Sequence, residues 1–236
     1  MAKTYLQLLN EVGKKLRRST GSTYTTITQD QNAVFMGSML NQAKRLVEDR
    51  WKWHQLRYDV TFSSVGGTAS YDTSSLSVVT SDPTVTNDRT TLLYDRFRRP
   101  QFWDVTTSGS GYMLMEVSRE YAEDIRNTQT SDVEIPNTVS VFQNGSGLTC
   151  LFPFAPSGVR NYRFKAYIPQ DELADGSTNV LAPWRPIVLA ATALCCEERG
   201  EEFGMPGSRW WDEYEQAISA AVGGDSDDRD FTLVPD

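Results

Sequence analysis

Segment 183–203 constrains the fold more than any other part of the chain. It opens with Pro183 and Pro186 and continues through residues 187–196, of which only one is polar. Prolines suit a first helical turn, and Gly204 just past the segment suits a stop. A helix without a polar face packs among other helices. The apolar run is too short to cross a bilayer, because it is about half of the roughly 20 residues that a crossing needs. We therefore expect the central helix of a helical bundle and no membrane contact.

Three more helices are predicted from capping signals and apolar stripes. Capping-box spacing occurs at Thr4 and Gln7 and again at Thr28 and Gln31. A last helix should follow the break at 206–208 and end at Gly223-Gly224. The side chains expected to face the core are Leu6, Leu9, Val12 and Leu16 in the first helix, Phe35, Met39, Leu40, Ala43, Leu46, Val47 and Trp51 in the second, and Trp210, Tyr214, Ala217, Ile218 and Ala221 in the last.

Residues 56–168 have a different texture, rich in Thr, Ser, Val, Tyr and Gly. Asn144-Gly145 predicts a hairpin turn, and one helix is expected at Ser118–Thr128 with Tyr121 and Ile125 facing inward. Short alternating runs predict strands at Arg57–Phe62, Leu76–Val79, Thr138–Phe142, Leu148–Phe152 and Val159–Ile168.

The predicted fold class is α+β. The N- and C-terminal helices should form a helical bundle into which an antiparallel β-rich module is inserted. The expected domains are residues 1–54 with 180–222 for the bundle, 55–179 for the inserted module and 223–236 for a flexible acidic tail.

Composition and charge narrow the range of functions that the chain could have. The net charge of −8 argues against a general nucleic-acid binder, because affinity for phosphates needs a basic face. Three cysteines, two of them adjacent, and the lack of a secretory leader indicate reduced thiols made in a cytoplasm. Residues 1–60 hold ten basic and five acidic side chains, whereas residues 197–236 hold three basic and twelve acidic ones. The two ends can attract each other within one chain or between copies, or the acidic end can serve solubility alone.

Motifs for catalysis or cofactor binding are missing from the sequence. His54 is the single histidine, which excludes or cripples catalytic triads and metal sites with paired imidazoles. The chain has no phosphate loop and no dinucleotide fingerprint, and Cys195-Cys196 lacks the two-residue spacer of a redox or zinc pair. We expect no enzyme, no cofactor and no metal.

Two local patterns leave alternatives open. The acidic cluster at 197–202 contains carboxylate pairs at helical spacing, which suit acid–base chemistry or a divalent cation, although a solvated helix end is the favoured interpretation. Segment 95–103 interleaves Arg96, Arg98 and Arg99 with aromatic residues, as single-strand binders do. An exposed hairpin is the commoner explanation, and a contact to DNA or a partner is kept as a possibility.

Two stretches carry a family resemblance. One is the helix end Glu48-Asp49-Arg50-Trp51-Lys52-Trp53, which runs straight into a strand, and the other is the helical pair formed by 183–204 and 210–215. Together they resemble the head-to-tail adaptor, or connector, proteins of tailed bacteriophages, including the tail tubular protein A type of short-tailed phages. The resemblance covers both helical ends, while the β region matches only by its position as an insert.

The resemblance implies a structural virion protein without catalytic residues, made in the host cytoplasm and located in the neck between capsid and tail. Copies, usually twelve in such adaptors, form a homo-oligomeric ring between the portal protein and the tail or nozzle proteins. The ring extends the channel through which double-stranded DNA passes, without sequence-specific binding.

A ring needs one patch of a subunit to meet a different patch of the next. We expect basic N-terminal helices to face the acidic last helix of a neighbour, with tryptophans as interface anchors. The residues of this hypothesis are Lys14, Lys15, Arg17, Arg18, Glu213, Trp184, Trp210 and Trp211. In the acidic tail, Phe231, Leu233 and Val234 are expected to contact the portal or a neighbouring subunit.

Two other classes of function remain as alternatives. A receptor- or carbohydrate-binding virion module would use the aromatic β segment. A carboxylate-based hydrolase would use Glu198 or Glu202 in a cleft. Neither alternative has a positive motif in the sequence.

Overall fold

A computed structural model describes residues 2–16, 23–72, 77–79, 89–94, 101–107, 111–128, 132–133, 135–144, 147–199 and 207–226. Within these ranges the chain forms five α-helices and ten β-strands. The helices are α1 (Tyr5–Lys15), α2 (Gln31–Arg50), α3 (Arg119–Thr128), α4 (Trp184–Arg199) and α5 (Gly207–Ser226). The strands are β1 (Arg57–Ser63), β2 (Ser70–Asp72), β3 (Ser77–Val79), β4 (Thr91–Leu92), β5 (Phe102–Asp104), β6 (Tyr112–Met113), β7 (Met115–Glu116), β8 (Thr138–Asn144), β9 (Gly147–Leu151) and β10 (Asn161–Tyr167).

The fold is mixed α+β, and the chain divides into two compact units. The helical unit comprises Met1–Leu56 and Glu172–Asp236, and the β unit comprises Arg57–Asp171. The second boundary between the units therefore lies earlier in the chain than the predicted boundary at residues 179–180.

The earlier boundary has a physical reason, because the chain that follows Asp171 is bound to the helical unit. The N–H of Tyr5, at the start of α1, donates to the carbonyl of Thr178 at 2.9 Å. The side-chain amide of Asn41 in α2 donates to the carbonyl of Leu173 and accepts from its N–H, at 3.1 and 2.8 Å. These bonds tie segment 172–182 to the first two helices.

Helix α4 packs against α1, α2 and α5. Its one polar residue in the apolar run, Thr192, is fully buried and donates its hydroxyl to the carbonyl of Val188 at 2.7 Å. This bond satisfies the hydroxyl inside the helix, so it can be buried without a partner elsewhere. The buried apolar residues of α4 are Ile187, Val188, Leu189, Ala190, Ala191, Ala193, Cys195 and Cys196.

The first turns of α1 and α2 are capped by different residue types. The predicted capping box of α1 is confirmed, with Thr4 and Gln7 each bonding to the backbone N–H of the other. The predicted cap of α2 at Thr28 is wrong. The cap is Asp30, whose carboxylate accepts from the N–H of Ala33 at 2.7 Å, and aspartate is among the strongest N-cap residues.

The buried face of α2 is rotated from the predicted stripe. The prediction is correct at Leu40, Ala43 and Val47. It is wrong at Leu46, which is exposed, and at Phe35 and Met39, which are half-buried. The residues buried on α2 are Ala33, Met36, Gly37, Leu40, Ala43, Lys44, Val47 and Glu48.

Helix α5 continues through the Gly223-Gly224 pair to Ser226, so the predicted stop at the glycines is wrong. In the last turn the carboxylate of Asp225 accepts hydrogen bonds from Nε1 of Trp51 at 2.8 Å and from the N–H of His54 at 3.2 Å. These bonds hold the end of α5 against the chain that follows α2, and they offset the low helix propensity of glycine.

The β unit contains two sheets, and one continuous run, residues 112–116, supplies a strand to each of them. The strand orders are β3-β1-β10-β5-β6, with β4 also paired to β10, and β2-β9-β8-β7. Strands β6 and β7 are separated only by Leu114, whose N–H bonds to Phe102, while the next N–H, of Met115, bonds to Asn137. The prediction of an antiparallel module is wrong at one pair, because β7 and β8 run parallel.

Aromatic side chains dominate the core of the β unit. The rings of Phe102 and Phe164 stack with centroids 5.2 Å apart. Tyr121 of α3 is 51% exposed and Ile125 is half-buried, so the predicted inward face is wrong and Ala122 is the buried residue instead. The core residues are Val60, Phe62, Tyr71, Leu92, Phe102, Leu114, Val139, Leu148, Cys150, Phe152, Tyr162, Phe164, Ala166 and Ile168.

The predicted hairpin is formed by β8 and β9, with Asn144 opposite Gly147. Its two turn residues, 145 and 146, lie outside the described residues.

Candidate subunit-interface surface

The three tryptophans predicted as interface residues all lie in the helical unit, and each is engaged by a charged side chain. The Lys3 ammonium lies 3.8 Å from the ring centroid of Trp184, and the Lys15 ammonium lies 4.8 Å from that of Trp210. Trp210 is buried, whereas Trp184 is half-buried and retains accessible surface. Lysine over an indole face is an attractive contact, so these pairs join α1 and the chain before it to α4 and α5.

The third tryptophan, Trp211, links α5 to α4. Its Nε1 donates to the carboxylate of Glu197 at 2.5 Å, and its ring meets that of Tyr214 edge-on with centroids 5.5 Å apart. Trp211 is half-buried, so part of its ring is still exposed.

The predicted basic residues of α1 have partners within the same helical unit. Glu11 accepts a hydrogen bond from Lys3 at 3.0 Å and pairs with Lys14 at 3.7 Å. The bond from Lys3 is the main cause that lowers the pKa of Glu11. Arg17 and Arg18 lie outside the described residues.

Residues from the basic N-terminal part (1–60) and the acidic C-terminal part (197–236) form contacts within one molecule. At the end of α2, the guanidinium of Arg50 pairs with the carboxylate of Glu215 at 3.1 Å. Further along α5, in its last turn, Asp225 accepts the hydrogen bonds from Trp51 and His54. Attraction within the chain is therefore present, while attraction between copies stays a prediction. Glu213, the acidic residue proposed for the neighbour contact, pairs with Arg209 at 3.5 Å on its own helix.

The carboxylate cluster proposed for a hydrolase is only partly described. Glu197 serves the α4–α5 contact through Trp211, Glu198 is exposed, and Glu201 and Glu202 lie outside the described residues. Among the residues that the structure does describe, no group of three or more His, Cys, Asp or Glu side chains is placed to hold a metal ion.

The three cysteines are buried and form no disulfide. Burial raises the pKa of the Cys150 thiol, which keeps it protonated and unreactive.

The arginine-rich segment around residues 95–100 starts and ends at adjacent backbone positions of the β unit. The chain leaves at Leu93 and returns at Gln101, whose N–H donates to the Leu93 carbonyl at 3.0 Å. Arg96, Arg98 and Arg99 stand between these two residues and lie outside the described residues, as do Phe231, Leu233 and Val234 of the tail.

Cross-strand pairing builds a surface that sequence reasoning missed. Arg163 lies opposite Trp103, and Trp103 lies opposite Met113, so β10, β5 and β6 place the three side chains in one row. The guanidinium carbon of Arg163 is 5.5 Å from the Trp103 ring centroid. Met115 is two residues beyond Met113 and so points to the same side of the strand run. We call Arg163, Trp103, Met113 and Met115 the outer strip.

The outer strip combines exposed apolar surface with a cation. Met115 is 70% exposed and Met113 is 38% exposed, and the Arg163 side chain is exposed above the half-buried Trp103. The alternation of Tyr112, Leu114 and Glu116 with the two methionines was visible in the sequence. The strand order that brings Arg163 of β10 next to β5 and β6 was not visible, because β10 lies far along the chain.

A buried ion pair lies on the opposite side of the same sheet. The carboxylate of Asp104 accepts from Nε of Arg160 at 2.5 Å and from the N–H of Thr106 at 2.9 Å. Burial alone would raise the pKa of Asp104, but the bonds from Arg160 and Thr106 outweigh it and lower the pKa below its ordinary value. Nearby, the buried hydroxyl of Tyr162 has no hydrogen-bond partner among the described residues.

Comparison with protein-family models and with curated proteins finds no match for this chain. The resemblance to head-to-tail adaptors therefore stays a prediction. Within the described ranges, no helix combines the length and apolar character that a bilayer crossing needs.

Proposed function

We propose that this chain is a non-enzymatic structural virion protein, a head-to-tail adaptor that forms a ring between the portal protein and the tail. The observation that carries the proposal is the arrangement of the chain: its two ends together build the helical unit, and its middle builds the separate β unit. This arrangement agrees with the resemblance, which covers both helical ends and treats the β region as an insert. Two units also offer different surfaces to different partners, as a connector requires.

In this proposal α1, α2, α4 and α5 form a helical bundle whose outer surface carries the contacts between subunits. The support comes from Trp184 and Trp211, which are half-buried and therefore keep aromatic surface for a neighbour. Trp210 contributes indirectly, because it is buried and fixes the position of α5 against Lys15.

The charge part of the interface places Lys14, Lys15, Arg17 and Arg18 of one copy near Glu213 of the next. Since Lys14 and Glu213 already have partners in their own chain, we expect these charges to guide association and contribute little to final affinity. Assembly measured by sedimentation should therefore slow as salt rises from about 0.05 M to about 1 M, where the screening length falls to roughly 3 Å. Equal assembly rates at both concentrations would overturn the charge part alone.

The partners of the proposed ring are the portal protein, the tail or nozzle proteins and passing double-stranded DNA. A net charge of −8 suits a channel through which DNA must slide without sticking. The arginines 96, 98 and 99 remain a proposed contact to DNA or to a partner protein.

The deciding experiment is quantitative mass spectrometry of purified virions, comparing this chain with the portal protein. A ratio near one to one, together with density for the chain in the neck by electron microscopy, supports an adaptor ring. Absence from the particle would overturn the proposal. A position at the far end of the tail would instead favour the receptor-binding alternative.

A further inference from the structure

The outer strip has the chemistry of a peptide-binding surface. Exposed methionine and tryptophan are enriched where proteins meet partners, and methionine adapts its shape to the group that it contacts. Arg163 adds a positive charge at one end of the row. Met115 lies two residues along the strand run from Met113, at the other end of the row, and is 70% exposed. The complementary ligand is an extended segment in which acidic residues stand next to apolar ones.

The C-terminal segment 227–236 has this pattern. Asp227, Asp228 and Asp230 come first, and Phe231, Leu233 and Val234 follow. In an extended chain Phe231 and Leu233 point to the same side, as do Met113 and Met115 on the strip. The segment follows α5 directly, and its ten residues reach at most about 36 Å when extended.

We propose that the C-terminal segment of a neighbouring copy docks on the outer strip, with its aspartates near Arg163 and with Phe231 and Leu233 on Met113 and Met115. The inference rests on the proposed function, because the ring is what supplies a neighbour to every copy. It adds a specific contact to that function, in which the acidic C-terminal segment of one subunit binds the β unit of the next.

The test uses the full-length chain with the photoreactive residue p-benzoylphenylalanine in place of Phe231. The benzophenone group reacts preferentially with methionine side chains that lie close to it. Probe-bearing chain is mixed with ¹⁵N-labelled chain that lacks the probe, irradiated and digested. We expect the main cross-link to join the unlabelled probe peptide to the ¹⁵N peptide that contains Met113 and Met115.

Matched variants separate docking from a general change in the surface. Arg163→Glu in the labelled chain keeps both methionines and should lower the cross-link yield roughly tenfold, because its carboxylate would repel the aspartates of the docked segment. Val159→Glu is the control: Val159 belongs to the same unit and is 70% exposed, but it lies outside the strip. An unchanged yield in Arg163→Glu would overturn the charge contact. An unchanged circular dichroism spectrum verifies that each variant is folded.

Several outcomes would overturn the docking. They are cross-links confined to the probe's own copy, cross-links to the helical unit, cross-links to added portal protein in place of the strip, or no cross-link at all. The proposed function fails separately. A chain found in the neck at a one-to-one ratio without the strip cross-link disproves only the docking, and a chain absent from virions disproves the adaptor whatever the cross-links show.

Discussion

The ammonium of Lys44 lies 3.0 Å from the carboxylate of Glu48, one helical turn further along α2, and both side chains are buried in the helical unit. Taking two charges out of water is costly, and the pairing offsets that cost only while both partners are present. The ion pair is therefore a sensitive point of the helical core.

We predict that removing one partner of the ion pair destabilises the protein more than replacing both. Lys44→Met should lower the free energy of unfolding by about 3–5 kcal/mol, because it leaves the Glu48 carboxylate buried without its counter-ion. The double variant Lys44→Met with Glu48→Leu should recover most of this loss. Urea unfolding followed by far-ultraviolet circular dichroism measures the three values.

The exposed pair Arg209–Glu213 on α5 is the matched control, since it has the same i,i+4 spacing in the same unit. Arg209→Ala should cost no more than about 0.5 kcal/mol. If Lys44→Met cost as little as this control, the buried pair would have no special role in stability.

The same pair shows where sequence reasoning fails on helices. Lys and Glu four residues apart are typical of an exposed helix face, so the predicted stripe of α2 assigned the interior to Phe35, Met39 and Leu46 instead. By contrast, the absence of a polar face in α4 correctly indicated a buried helix, because that pattern does not depend on which partner covers it. Local patterns identify elements, but charged residues inside a core are visible only once their neighbours are known.

The outer strip shows the corresponding limit for sheets. Strands at β8 and β10 were predicted from alternation, and the hairpin between β8 and β9 was predicted from Asn144-Gly145. The turn was placed one residue too early, because Asn144 is the last residue of β8 and pairs with Gly147. The row that joins Arg163, Trp103 and Met113 depends on the pairing of Trp103 with Arg163, which comes much later in the chain, and on which strands are neighbours. No local signal gives that order.

Loss of the side-chain hydroxyl should affect stability differently at two tyrosines of the β core. The Tyr162 hydroxyl is buried without a partner among the described residues, so Tyr162→Phe should leave stability unchanged or raise it by about 1 kcal/mol. The Tyr71 hydroxyl accepts from the N–H of Val65 at 2.9 Å and lies 2.8 Å from the carbonyl of Thr68. Tyr71→Phe should therefore cost about 1–3 kcal/mol, because it leaves these backbone groups without that partner.

Thermal or urea unfolding of both phenylalanine variants against the parent chain checks this pair. A loss of stability in Tyr162→Phe as large as that in Tyr71→Phe would show that the Tyr162 hydroxyl does have a bonding partner in solution.

The Asp104–Arg160 pair should make the β unit sensitive to acid. The folded-state pKa of Asp104 is lowered, so its contribution to stability is present above the unfolded pKa of about 3.9 and is lost as the pH falls through the folded value. Asp104→Asn should cost about 3 kcal/mol or more at neutral pH, and the difference from the parent chain should shrink as the pH is lowered below about 4. Urea unfolding at a series of pH values measures it.

The control for this acid effect is Asp59→Asn, an exposed carboxylate on the same sheet. It should change stability by less than about 0.5 kcal/mol at neutral pH. A gap between Asp104→Asn and the parent that stayed constant down to low pH would contradict the role of the Asp104 charge.

The bonds of Asp225 should control the opening of the segment that leads from α2 to β1. Asp225→Ala removes the acceptor for Nε1 of Trp51 and the N–H of His54, and bonds to a charged acceptor contribute about 1.5–3 kcal/mol. We expect trypsin to cleave after Lys52, which lies between these two donors, at least about tenfold faster in the variant, because local opening becomes more frequent. Asp212→Ala, an exposed carboxylate on the same helix, should leave the cleavage rate unchanged. Equal rates in all three proteins would show that the linker is held by other contacts, and that α5 passes its glycine pair without help from Asp225.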